Sequence, residues 1–252
     1  MENYITSSTG AGVKRVKKLA SSRAFRMSEG VVIAEGERII RDLPLEAQIQ
    51  TLYLLREKKD KYAYLSKRAQ EVIYCSENVM RAMSDTSTPC GILALVRRPS
   101  NVFSSGNAVI ADGISDPGNL GTIVRTAAAC GVKNVLAAGC CDAFSPKVVR
   151  ASMGGVFRTA IVECPREEAV AHARDFKIFA LDMRGENVYN IKKSEFSGRY
   201  ALAVGSEAFG LSEQLKAAAF KCVSLPMAGE MESLNAAVSL AVALYTVEYA
   251  LK

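Results

Sequence analysis

At 252 residues and 27.1 kDa the chain has room for one large or two ordinary domains, which run to roughly 100–200 residues each. Its 49% hydrophobic and 23% charged composition supports a packed core and argues against disorder. A single histidine, His172, excludes a multi-histidine metal site, and seven cysteines without a C-x-x-C pair read as reduced thiols.

The N-terminal stretch is polar and has no apolar targeting core, and the most apolar late segment is too short to span a bilayer. The expectation is a soluble, cytoplasmic protein without metal or membrane segment. The first predicted helix covers Val13–Ser28 and stops at Gly30. It carries Lys14, Arg15, Lys17, Lys18, Arg23 and Arg26. Residues 1–104 hold 17 Lys and Arg against 11 Asp and Glu, and the remainder 15 against 15, so the net +6 lies wholly in the first part. Such asymmetry suits a polyanion partner, nucleic acid above all, or a solubilising helix face. Short strands at Val31–Ala34, Thr51–Leu55, Glu71–Cys75 and Ile92–Val96 alternate with helices near Glu37–Leu43, Lys58–Ala69 and Ser76–Met83. This pattern predicts a small α/β domain over residues 1–98. The Pro-, Ser-, Gly- and Asn-rich residues 99–107 read as a linker.

Beyond the linker, strands are expected at Ala108–Asp112, Asn134–Ala138, Arg158–Val162, Ile178–Leu181, Tyr200–Val204 and Cys222–Leu225. Helices fall near Leu120–Cys130, Glu167–Asp175 and Ser212–Ala219, with a long last helix from Ser233. Apolar strands separated by amphipathic helices predict a parallel sheet covered on both faces, over residues 108–252. Ligands of such sheets bind at the carboxyl ends of the strands.

Three segments follow predicted strand ends. In the first, residues 114–126, Asp116-Pro117-Gly118 turns the chain and Asn119 begins a helix. Arg125, six residues on, is placed on the inner helix face, where it needs an anion, Asp116 or Glu207 as partner. In the second, residues 204–212, Gly205 and Gly210 allow close backbone approach to a ligand or an ordinary turn. Ser206 is not framed as G-x-S-x-G, so a serine hydrolase built on it and His172 fails on spacing. In the third, residues 225–239, Pro226 and Gly229 impose an irregular loop and Ser233 is the expected N-cap of the last helix.

Together these segments resemble the motifs of the SpoU-type (TrmH-type) RNA 2′-O-ribose methyltransferases, members of the trefoil-knot SPOUT class. The first motif is matched by Asp116, Pro117, Asn119, Gly121 and Arg125, and the second by Gly205, Glu207 and Gly210. The third is matched by Pro226, Met227, Gly229, Ser233, Leu234 and Asn235. Residues 5–96 resemble, more weakly, the family's L30e-like substrate-binding extension. The resemblance implies a knotted parallel-sheet α/β methyltransferase domain in which the chain after Leu225 threads an earlier loop. It implies S-adenosylmethionine held at Gly205, Leu225 and Leu234, with Met227 and Asn235 close by. Arg125 is then nearest the attacking hydroxyl, and Asn119, Glu207 and Ser233 orient it and the ribose. The substrate implied is RNA, with ribosomal RNA favoured over transfer RNA because a separate basic domain suits a structured loop or stem. A non-catalytic RNA-binding factor on the same scaffold is the rival reading. The last helix, apolar nearly all round until Glu248, needs cover on more than one face; with the resemblance, this implies a homodimer through the catalytic domain.

Overall fold

The computed structural model describes residues 3–231 and 233–251, and these divide into two compact units. One comprises residues 3–99 with 144–157, the other 100–143 with 158–231 and 233–251. The change of unit falls at Pro99/Ser100, at the near edge of the expected linker. Residues 144–157, expected in the second domain, group instead with the first.

In the first unit, β1 (Tyr4–Ile5), α1 (Ala11–Ser21), α2 (Arg23–Glu29), β2 (Val31–Glu35) and α3 (Glu37–Arg41) come first in the chain. They are followed by β3 (Ile49–Leu55), α4 (Ala63–Ser66), β4 (Ala69–Cys75), α5 (Glu77–Met83) and β5 (Ile92–Arg97). The sheet order is β1-β4-β3-β5-β2; β5 runs antiparallel to both its neighbours, and the other pairs are parallel. Val13, Val16 and Leu19 recur every third residue, so α1 buries one stripe against β2, β3, β5 and the Val79–Met83 face of α5. The expected single helix over Val13–Ser28 is two. Ser22 is extended (φ −119°, ψ 111°) and its hydroxyl accepts from the Phe25 amide, so it ends α1 and caps α2. The helix expected over Lys58–Ala69 shrinks to a 3₁₀ turn and α4, because Ala69 already pairs with Ile49 in the sheet.

The second sheet uses β6 (Ala108–Asp112), β7 (Asn134–Ala138), β8 (Ala160–Cys164), β9 (Lys177–Asn187), β10 (Tyr200–Gly205) and β11 (Lys221–Ser224). Its helices are α6 (Pro117–Ala129), α8 (Ala169–His172), α9 (Glu213–Ala218) and α10 (Ala236–Tyr245), while α7 (Pro146–Ala151) lies in the segment grouped with the first unit. The order is β11-β9-β10-β6-β7-β8, parallel throughout, as the run of buried apolar strands predicts. Strand β8 begins two residues later than expected, after a 3₁₀ turn at Gly155–Phe157. Strand β9 is far longer than the expected Ile178–Leu181. The cause is a register jump: Cys222 pairs with Ala180, but Val223 pairs with Glu186, so residues 181–185 bulge out over the strand end. The segment expected as a helix over Glu167–Asp175 holds only a 3₁₀ turn and the four residues of α8. Helix α10 packs on α6 and β10. Among the described residues no helix is long and apolar enough to cross a membrane.

Candidate active site

The second sheet reverses direction of growth between β6 and β10: β7 and β8 lie to one side, β9 and β11 to the other. At such a switch point the loops leaving adjacent strand ends diverge and open a crevice. The two strands end in register, Asp112 opposite Gly205, and all three motif segments start at strand ends of this half of the sheet.

A cleft of about 670 Å³ opens there, lined among others by Leu181, Gly205, Leu225, Met227 and Leu234. Its volume is that of a small-molecule site. Gly205 is required by packing. A Cβ on it would stand 2.0 Å from the Gly210 carbonyl carbon and 2.2 Å from the Leu211 nitrogen. Only a residue without a side chain lets the 206–210 turn fold back on the strand end. That turn is closed by the Gly210 amide donating to the Ser206 carbonyl at 2.7 Å.

Beside the cleft the three motifs meet in one hydrogen-bonded cluster. Asn119 Nδ2 donates to Glu207 Oε1 at 3.1 Å. Asn235 Nδ2 donates to the same carboxylate oxygen at 2.5 Å and to Asn119 Oδ1 at 3.0 Å. Local sequence explains how each is aimed. Asp116 caps α6, accepting from the Asn119 amide at 2.8 Å, and Pro117 fills the first helical position. The helix therefore begins before Asn119. Asn235, in turn, is the N-cap of α10: its Oδ1 accepts from the Ala237 and Val238 amides at 3.0 and 3.2 Å. This corrects the expectation for Ser233, which lies two residues short of the helix and lines the cleft instead. One amide side chain thus caps with its oxygen and joins the cluster with its nitrogen.

Arg125 departs from expectation. It is exposed, and among the described residues it pairs with neither Asp116 nor Glu207 nor any other group. Six residues on a 3.6-residue period carry it about 120° round the helix from Asn119, away from the buried stripe of Leu120, Ile123, Val124 and Ala127. His172 approaches Glu168 at 3.6 Å on α8 and does not line the cleft, while the Ser206 hydroxyl accepts the Phe209 amide of its own turn. The two do not form a nucleophile–base pair. Burial pushes the Cys140 thiol up to about 12 and Cys141 and Cys164 to about 11, as expected for structural thiols. Among the described residues no group of three or more His, Cys, Asp and Glu could hold a metal.

In the first unit Lys14, Lys17, Lys18 and Arg23 are exposed as the sequence predicts. Lys18 lies over the Phe25 ring at 4.4 Å, and Arg15 is ion-paired to Glu29 at 2.9 Å. Arg26 is not part of that face. It is 5% exposed and donates to the Leu19 and Ala20 carbonyls, closing the C-terminus of α1. The interruption of the helix at Ser22 turns it inward. Two residues beside the site were not among those the sequence singled out for it: Asp112, foreseen only as a strand end, and Arg166, ion-paired to it at 2.6 Å beside the 206–212 segment. The available signal was an acid ending a buried apolar strand, a position that demands a partner.

Known proteins resemble the chain in sequence and in fold. Residues 106–245 match the SpoU rRNA Methylase family and residues 11–94 an MRM3-like substrate binding domain. The chain is 30% identical to the Bacillus subtilis 23S rRNA (guanosine(2553)-2′-O)-methyltransferase RlmP, covering 96% of this chain and 97% of that one. It is 37% identical to the Xenopus laevis mitochondrial rRNA methyltransferase 3 over 60% of this chain, and that match spans only 40% of the Xenopus protein's length. The fold superposes on an AdoMet-bound rRNA methyltransferase from Sinorhizobium meliloti with a TM-score of 0.84 at 27% identity, over 99% of this chain and 98% of that one. A family match over more than half the chain, and a relative 30% identical that is covered almost end to end, establish that the chain belongs to the SpoU rRNA methylase family.

Proposed function

We propose that the protein transfers a methyl group from S-adenosylmethionine to a ribose 2′-OH of structured ribosomal RNA. The observation that carries this is the Asn119–Glu207–Asn235 cluster standing beside a cleft at the β6/β10 switch point. The cleft fits the cofactor: it has the volume, and Gly205 lets the 206–210 turn that walls it close on the strand end, where any Cβ would strike the Gly210–Leu211 backbone. Gly205, Leu225 and Leu234 would hold the adenosine through backbone, with Met227 beside it and Asn235 fixing the helix end behind. The bound cofactor supplies an already activated methyl on a sulfonium, so the protein need provide position and a dry site.

The chain's own groups do the rest. Asn119 and Asn235 both donate to one oxygen of Glu207, which fixes that carboxylate and leaves its second oxygen to orient the ribose. Ser233 sits at the cleft wall, within the same loop as Leu234, and contributes to that orientation. Arg125 carries a planar guanidinium with five N–H donors and no acceptor. Exposed and unpaired, it is available to clamp the RNA phosphate next to the target and to stabilise the developing alkoxide. The exposed Lys14, Lys17, Lys18 and Arg23 supply electrostatic RNA affinity. The names of the Bacillus and Xenopus relatives support ribosomal RNA over transfer RNA.

Two architectural features belong to the same reading. The chain after Leu225 threads an earlier loop as a trefoil knot; the support is that β11 lies at the sheet edge while α10 packs on β10 and α6. The protein is a homodimer through α10, whose outward residues Val238, Val242 and Tyr245 are exposed beside Tyr249. A light-scattering mass near 27 kDa at micromolar concentration would refute the dimer. The seven unpaired cysteines support a reducing, cytoplasmic setting. The decisive experiment supplies labelled cofactor with total rRNA and, separately, with total tRNA, then maps the methylated ribose. Label confined to tRNA, or absent from both, refutes the proposal.

A further inference from the structure

The carboxylate of Asp112, the last residue of β6, is fully buried at 0% exposure. Three donors converge on it. Arg166 Nε reaches Oδ1 at 2.6 Å and Arg166 Nη2 reaches Oδ2 at 3.1 Å, while the Ser212 amide donates to Oδ2 at 2.6 Å. The same Nη2 also donates to the Gly210 carbonyl at 2.9 Å. The 206–212 segment is therefore fastened at its far end to the end of β6. Its near end, Gly205, is in register with that same Asp112. Both ends of the turn that walls the cleft are referred to one buried carboxylate.

The surroundings are shaped for the guanidinium. A Cβ on Gly139 would meet Arg166 Cβ at 2.9 Å, and one on Gly113 would meet Arg166 Cζ at 3.3 Å. A planar fork is what the arrangement uses: one edge satisfies the carboxylate while the same nitrogen reaches on to a carbonyl. Neutralising Asp112 alone would not require that second arm.

We infer that Arg166 and Asp112 are positioning residues for cofactor binding, setting the place of the 206–210 turn over the cleft. This rests on the functional reading above and assigns a role to two residues outside its three motifs. Arg166→Lys separates positioning from folding, because an ammonium can keep a charge beside Asp112 but cannot also reach Gly210 in a fixed fork. Arg166→Gln removes the charge as well.

The test uses the full chain of the parent and both variants. Calorimetry gives S-adenosylmethionine affinity, steady-state assays give separate KM values for cofactor and rRNA, and melting reports the fold. Amide exchange reports the Gly210 and Ser212 positions. In Arg166→Lys, cofactor Kd and KM should rise roughly tenfold, the loss of one charge-assisted hydrogen bond. The rRNA KM and the melting temperature should stay near the parent's, and the two amides should exchange faster. Unchanged cofactor affinity in both variants, with a parent that binds, overturns this role alone. Equal rises in cofactor and rRNA KM also overturn it, since they report general loosening. A parent that binds no cofactor overturns the functional reading and this role with it.

Discussion

Asn235 offers the sharpest separation of stability from chemistry, because its two side-chain atoms have different duties. Oδ1 caps α10 through the Ala237 and Val238 amides, and Nδ2 donates to Glu207 and Asn119. In Asn235→Ala both are lost. The cap alone is worth about 1 kcal/mol, which lowers the melting temperature by roughly 2–4 °C for a chain of this size. In Asn235→Asp the cap survives, since a carboxylate accepts from the same amides and favours a helix N-terminus. The donor is replaced by a second carboxylate oxygen facing Glu207 Oε1 across the 2.5 Å that the hydrogen bond now spans. Two unit charges about 4 Å apart repel by about 1 kcal/mol even in water; Glu207 and Asn235 are both exposed, so the Glu207 carboxylate can swing into solvent, which costs its orientation rather than the fold. The Asp variant should therefore melt close to the parent while its kcat for rRNA methylation falls roughly tenfold or more. The Ala variant should lose both. Differential scanning calorimetry and single-turnover methylation measure the two quantities on the same preparations. An Asp variant with parental turnover would refute the role given to the cluster, and one that melts like Ala would refute the cap.

Further outcomes follow from the same geometry. Arg125→Ala should abolish methyl transfer and leave cofactor affinity nearly unchanged; near-normal turnover would remove Arg125 from the substrate side. Gly205→Ala should weaken cofactor binding by about tenfold or more, since relieving a 2.0 Å clash by moving the 206–210 turn costs roughly 1–3 kcal/mol; parental affinity by calorimetry would contradict the cradle. Charge reversal at Lys14, Lys17 and Lys18 should reduce the salt dependence of RNA binding, whereas Arg26→Ala should leave RNA affinity intact and lower the melting temperature, so an RNA defect in Arg26→Ala would restore it to the binding face. Cys140 ionises at 9.0 ordinarily and at about 12 here, so its stabilising effect is full below pH 9 and is lost as pH rises towards 12, because the unfolded thiol ionises first; rapid alkylation of Cys140 in the native protein at pH 8 would show the thiol to be neither buried nor shifted.

Much of this protein is legible in its sequence because the signals are local. Apolar strand runs, the Asp116-Pro117 helix start and the Gly30 stop depend on near neighbours, so strand positions and the parallel character of the second sheet could be read directly. The three motifs were legible for the same reason, each being a short strand-end segment. What needed the tertiary structure were contacts between residues far apart in the chain. The bulge that lengthens β9 exists only because β11 pairs with both of its ends. Ser233 and Asn235 are both competent caps by type, and the choice fell to Asn235 because its nitrogen has partners in Glu207 and Asn119. Arg26 and Arg23 look alike in the basic stretch, but the break at Ser22 rotates Arg26 into the interior. Arg166 belongs to no motif, and its place is set by a carboxylate 54 positions earlier. Sequence proximity decides which element forms. Which side chain faces which is decided by the burial of charge and by the space that glycines leave, and both come into being only when the strand ends are brought together.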